Sequence, residues 1–227
     1  MTTLSTLVTD IMAAVQDPSY TATKVKAIIN RKLQWIAGGV LMDGTWLSPP
    51  LPELIDSDTV DTGDDAYTSL PDDFQRDLIF CTNSSGRLTV YDSYIKFLKV
   101  YPLLTDTGSV SAVAVKGRRL YYQAIPSEAE TLTLHFYRYP STMSDDADEP
   151  EGLPSHLAYK LLFHSSCLEI MEFVEDGEGA QARGSKYHEG KFYEAMNELI
   201  LFVGQDGEPQ YIDDDSDYTD DNYWRED

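Results

Sequence analysis

The run from Pro154 to Val203 limits what the rest of this 227-residue chain can do. Pro154 presets a helical φ, and Leu157, Leu161, Leu168 and Met171 follow at helical spacing beside Lys160, Glu169 and Glu172. Gly177, Gly179 and Gly184 lower helix propensity in EDGEGAQARG, so the first helix should stop or kink near Asp176. His188, Phe192, Ala195, Leu199 and Phe202 then recur at alternating four- and three-residue steps, the seam of a helix packed along a partner. The run predicts a helical hairpin whose arms, at about 1.5 Å per residue, each span about 30 Å. A hairpin of that size bears an apolar strip that other elements must cover.

The N-terminal segment is the natural cover. Leu4, Leu7, Val8, Ile11 and Val15 predict an amphipathic helix that ends at Asp17-Pro18, because the residue before proline is pushed out of the α region. Thr21 or Thr23 can cap a second helix running to about Leu41, with Val25, Ile28, Ile29, Leu33 and Ile36 on its apolar face. Lys24, Lys26, Arg31 and Lys32 on that helix read as a solvated face, with contact to an acidic neighbour as the alternative.

The middle of the chain is rich in β signals. After Gly38 and Gly39, the breakers Gly44, Pro49, Pro50 and Pro52 and an acidic run from Glu53 to Asp73 without Lys or Arg read as loop with short strands, one starting at Trp46-Leu47 and one from Ala66 to Leu70. DLIFCT and RLTVYD flank the turn residues Asn83 to Gly86 as a hairpin, and Ser93 to Tyr101 reads as a short helix. Val110–Val115 and Leu120–Ile125 flank Gly117, and Leu132, Leu134 and Phe136 alternate with polar residues, which together predict a three-stranded meander. After Pro140, MSDDADEPEG reads as an acidic linker. The expected fold is α+β: a four-helix up-down bundle made by the two terminal helix pairs, with an inserted antiparallel β lobe and an extended acidic tail. The segments are 1–45, 46–150, 151–203 and 204–227.

A formal charge of -22, from 39 acidic and 17 basic residues, argues against gripping a phosphate backbone through a broad basic face. The apolar runs are too short for a membrane span and the N-terminus lacks a basic leader, so a soluble, cytoplasmic product is expected. Cys81 and Cys167 read as buried free thiols. His135, His156, His164 and His188 are scattered; His164 and Cys167 lie one turn apart but gain no third ligand from the sequence, so no metal site is expected. Gly179 and Gly184 have phosphate-loop spacing, but Ser185 and Lys186 are in the wrong order and no strand precedes them. Carboxylate pairs are abundant but fall in polar linkers, which argues against a carboxylate hydrolase. Neither an enzyme nor a cofactor is indicated. The tail from Gly204 to Asp227 carries ten acidic residues and one Arg, punctuated by Tyr211, Ile212, Tyr218, Tyr223 and Trp224. It reads as an inert solubiliser or as a segment that orders on a partner, those residues anchoring it and its aspartates meeting a basic groove.

The order of Leu70-Pro71-Asp72-Asp73-Phe74, then Tyr137-Arg138-Tyr139-Pro140, then Leu153-Pro154 opening the C-terminal helix pair resembles a known family. With Ile29-Asn30-Arg31 and Trp35 in the second helix, residues 2 to 203 are similar to the head-to-tail adaptor (connector) proteins of tailed bacteriophages, portal-attached proteins of the tail tubular protein A type. The resemblance implies a virion structural protein, present in the host cytoplasm during assembly. It implies a ring of about twelve copies beneath the portal protein, joined to tail or nozzle proteins, with DNA passing through its channel without specific binding. It also implies helices in the ring wall, a β lobe against adjoining components, and a C-terminal arm docked on the portal. Twelve copies at -22 amount to roughly -264, a lining that repels DNA, so some acidic faces must meet basic partners or counterions. The charge alone also suits an acidic DNA mimic that blocks a nucleic-acid enzyme, but the acids cluster in linkers and the tail rather than at phosphate-like spacing.

Overall fold

The computed structural model describes residues 2–39, 41–42, 45–46, 48–174 and 183–206. Helices α1 (Leu4–Val15) and α2 (Ala22–Gly38) open the chain. The hydroxyls of Thr3 and Thr21 accept from Thr6 N and Lys24 N, supplying partners for amides that the first turn leaves orphaned. Between them Asp17 turns the chain by accepting from Ser19 N at 2.8 Å. Strands β1 (Leu41–Met42) and β2 (Thr45–Trp46) pair as a small antiparallel ribbon, and a single 3-10 turn follows at Pro52–Leu54.

Next come β3 (Ile55–Asp61), β4 (Tyr67–Ser69), β5 (Phe74–Asn83), β6 (Gly86–Arg87) and β7 (Thr89–Tyr91). Helix α3 (Tyr94–Val100) leads to β8 (Ala112–Lys116), β9 (Arg119–Tyr122) and β10 (Thr131–Arg138). These strands form two four-stranded sheets, ordered β3-β10-β5-β6 and β4-β9-β8-β7. Leu78, Cys81, Leu132, Leu134 and Phe136 from the first meet Val113, Leu120 and Tyr122 from the second in one buried core. On the other face of the second sheet, Phe97 of α3 is fully buried against Ala112 and Ala114.

Several expectations fail here for physical reasons. The meander does not form: β8 and β9 pair across Gly117 (φ 62°), but β10 crosses to the other sheet and lies between β3 and β5. Alternation says which face of a strand is buried and is silent on which sheet it joins. The 77–82/87–92 hairpin is cut short, since only Gly86 and Arg87 pair with β5, and β7 runs parallel to β8 in the second sheet. Parallel strands need a crossover, and α3 supplies it. The β region is therefore not a single antiparallel lobe. The acidic stretch, read as loop with short strands but with none placed over residues 55–61, contains β3, seven residues long and mostly exposed, paired along its length with β10. Asp56, Asp58 and Asp61 hide the strand from an alternation test while discouraging further pairing at an exposed edge.

The four-helix up-down bundle is also corrected: among the described residues five helices and two four-stranded sheets, beside the β1-β2 ribbon, make an α+β fold with a different helix arrangement. Helices α4 (Ser155–Val174) and α5 (Arg183–Asp206) form the C-terminal pair. α4 is the hub. α1 and α2 touch each other and both pack on it, while α5 lies along it. Leu157, Ala158, Leu161, Leu162, Cys167 and Ile170 are all buried, a band wider than the expected stripe, and Leu168 and Met171 are only half-buried. A helix contacted on several sides has no single apolar face to read. Ser165, fully buried, donates its hydroxyl to Leu161 O at 2.6 Å. α5 keeps a one-sided seam of His188, Phe192, Ala195, Met196, Leu199 and Val203, with Phe202 39% exposed.

Candidate functional site

The Leu70–Phe74 and Tyr137–Pro140 motifs of the sequence meet where the helices join the sheets. Pro71 ends one strand approach and presents a cluster of carbonyls, to which the Arg118 guanidinium donates: Pro71 O at 3.0 Å, Phe74 O at 3.1 Å and Asp72 O at 3.2 Å. Five fixed donors on a planar group suit several acceptors that a turn brings together. Tyr139 N donates to Asp73 O at 2.9 Å, and the Phe74 and Phe136 rings pack 5.1 Å apart, so LPDDF and YRYP form one unit. Against it an open cleft of about 500 Å³ is lined by Gln34 of α2 with Asp72, Asp73, Arg138 and Tyr139.

Arg138 closes the end of β10 onto two other segments. Its Nε pairs with Asp56 Oδ2 of β3 at 2.9 Å, and its terminal nitrogens grip both oxygens of Glu151. Glu151 also accepts from Ser141 N at 2.8 Å. The Arg138 hydrogen bonds hold the Glu151 carboxyl down at about 2, below its ordinary 4.5. Arg76 stacks 5.5 Å from the Tyr137 ring, and burial lowers its pKa.

The acidic linker is pinned along its length. Asn30 of α2 accepts from Met143 N at 2.8 Å and donates to Met143 O at 2.9 Å. Asp148 accepts from Ser144 N and Asp145 N, which lowers its pKa, and Leu4 N and Ser5 N donate to the carbonyls of Asp148 and Asp146. Lys26 pairs with Asp146 at 2.7 Å. Of the basic residues on α2, Arg31 and Lys32 both reach Glu169 of α4, and Lys32 lies 4.6 Å over the Trp35 ring, which stacks on Phe192. Lys26, Arg31 and Lys32 of α2 thus meet acidic neighbours within their own chain, while Lys24 donates to Ser19 O at 2.9 Å.

Two histidines that the sequence left scattered come together. His164 of α4 and His188 of α5 place their Nδ1 atoms 2.9 Å apart beside Phe163. One nitrogen must donate and the other accept. Burial, with His188 alongside, pushes His164 down to about 4. Cys167 does not join them; it is buried, as is Cys81, and burial raises both thiols to about 12, which leaves them poor nucleophiles and ligands. Among the described residues no group of three or more His, Cys, Asp or Glu is placed to hold a metal ion. Nor is any helix among them long and apolar enough to cross a membrane. Tyr211, Ile212, Tyr218, Tyr223 and Trp224 lie outside the described residues.

The roles of Asn30, Arg118, Glu151 and the histidine pair carry no periodic signal, since each depends on segments far apart in sequence. The Pro-bounded motifs were the one visible hint.

A sequence profile for the SU10 adaptor protein family matches residues 2–219. The chain belongs to this family. SU10 adaptor proteins are structural adaptors of bacteriophages, and the match spans the helices, both sheets and the first part of the tail. It carries no assignment to the tail tubular protein A type. No curated protein matches the SU10 adaptor chain significantly.

Proposed function

We propose that this chain is the head-to-tail adaptor of a tailed-phage virion, its copies closing into a ring beneath the portal, extending the DNA channel and receiving tail or nozzle proteins. The family match over residues 2–219 carries the reading. The structure is in keeping with it, since Arg118, Arg138 and Asn30 fasten helices, sheets and linker into a body with defined outer faces, as an assembly unit needs. In this reading segments 1–45 and 151–203 build the wall, 46–150 meets adjoining components, and 204–227 is a binding segment anchored by Tyr211, Ile212, Tyr218, Tyr223 and Trp224. The chain acts by assembly and not by catalysis.

The test is co-expression with portal protein, followed by particle imaging. Ring density below the portal is the expected result. A chain that never joins portal complexes, with virions lacking it still retaining their DNA, would overturn the proposal. Removing 204–227 should leave the fold intact and weaken ring or portal attachment; equal attachment would make the tail an inert solubiliser.

A further inference from the structure

One stretch of the chain breaks the acidic character of the molecule. Residues 86–125 contain Arg87, Lys96, Lys99, Lys116, Arg118 and Arg119 against Asp92 and Asp106. Elsewhere Lys26, Arg31, Lys32, Arg138 and Lys160 form ion pairs. Lys99, Lys116 and Arg119 form none among the described residues; a hydrogen bond with Tyr121 is the main cause that raises the Arg119 pKa, with Tyr67 and then Asp65 adding to it.

Two of these unneutralised charges sit on aromatic faces. Arg119 lies 4.2 Å over the Tyr67 ring and Lys116 lies 4.7 Å over Tyr94. Tyr121 joins the pairs into one cluster, with its ring 5.5 Å from Tyr67 and 4.6 Å from Tyr94. The three rings are half-buried, so their remaining faces and edges are open to solvent. Beside them α3 and its exit leave Ile95 68% and Leu103 64% exposed. A ligand for this face needs carboxylates for the cations and flat or apolar groups for the rings.

The chain carries such a ligand. Residues 207–227 hold nine Asp or Glu and one Arg, with Tyr211, Tyr218, Tyr223 and Trp224 set among them. From Asp206 these 21 residues, extended, reach at most about 70 Å. We infer that the Tyr67–Tyr94–Tyr121 cluster with Lys116 and Arg119 is the docking site of the C-terminal segment 207–227. Its aspartates pair with Lys116 and Arg119, and its Tyr and Trp rings lie against the tyrosines and Ile95. The inference rests on reading the tail as a binding segment and names the surface it binds.

The test is zero-length carbodiimide crosslinking of the full chain, read by mass spectrometry, with a mixture of light and heavy isotopic copies to distinguish same-chain from neighbour contacts. Crosslinks from the carboxylates of 208–227 should concentrate on Lys116, Lys96 and Lys99 rather than on Lys24 and Lys26. R119E, an exposed change, should cut their yield about fivefold, as should Y223A/W224A in the tail. Crosslinks spread evenly over all lysines, or unmoved by either variant, would overturn the inference. So would labelled single-stranded or duplex oligonucleotides that bind the full chain and lose binding on R119E, since the cluster would then be a nucleic-acid contact. The two readings fail separately. A tail that crosslinks to Lys116 in a chain that never enters portal complexes refutes the adaptor ring alone, and ring assembly without those crosslinks refutes this contact alone.

Discussion

Replacing Asn30 by alanine tests whether the acidic segment after Pro140 is a structural part of the molecule. The side chain accepts from Met143 N at 2.8 Å and donates to Met143 O at 2.9 Å and to Lys26 O at 3.1 Å. The Lys26 carbonyl keeps its helical partner, so its loss costs little. Met143 is 4% exposed, and its amide and carbonyl would lose their partners in a place water reaches poorly. Stranding the amide costs about 1–3 kcal/mol and losing the second bond about 1 kcal/mol. Alanine returns about 0.5 kcal/mol of helix propensity. The net expectation is a loss of about 1.5–3.5 kcal/mol, read as a lower urea midpoint at unchanged slope and a melting temperature lower by about 3–14 °C. Asn30→Asp sharpens the test. It keeps the acceptor for Met143 N but turns a carboxylate toward Met143 O, a mismatch relieved when a protonated acid can donate there. A carboxyl facing a carbonyl titrates above its unfolded value of about 4, so the variant's deficit relative to wild type should shrink as pH falls toward about 4 and be gone below it. An Asn30→Ala midpoint within about 0.5 kcal/mol of wild type, or an Asn30→Asp deficit flat with pH, would refute the reasoning.

Other expectations follow from the same geometry. Gly152 has φ +77°, and a Cβ there would lie 2.7 Å from Cγ of Leu54, which is 1% exposed, so Gly152→Ala should cost about 2–4 kcal/mol in a denaturant titration. Glu151 is held at about 2, so it contributes stability above its ordinary 4.5 that disappears as pH falls toward 2. Glu151→Gln should lower stability at pH 7 by about 1 kcal/mol and flatten the acid limb between pH 5 and 2, as melting across that range would reveal. Leu161→Asp or Leu199→Asp, each placing a charge at a fully buried site, should abolish cooperative helix melting by circular dichroism. A thiol reagent should leave Cys81 and Cys167 unmodified in the native protein and label both in denaturant; fast labelling of the native chain would contradict their burial.

The helices were largely legible in the sequence. Leu4, Leu7, Val8 and Ile11, then Val25, Ile28, Ile29, Leu33 and Ile36, are buried as their spacing required, because a helix packed on one side writes its contact face into its periodicity. The edges of strands were legible too: Gly117 turns β8 into β9, and Leu132, Leu134 and Phe136 all point inward. Partnership was not. Nothing local to β10 tells it to leave β9 for β3 and β5, and α4 hides its central position by being apolar on several sides. The candidate sites were legible only as motifs, since Arg118 seeks carbonyls at Pro71 and Phe74, and His164 finds His188, across distances that only folding closes. Local spacing determined which faces of this chain had to be covered. Tertiary structure decided what covers them, because burial energy is nearly indifferent to which apolar partner supplies it, and geometry makes the choice.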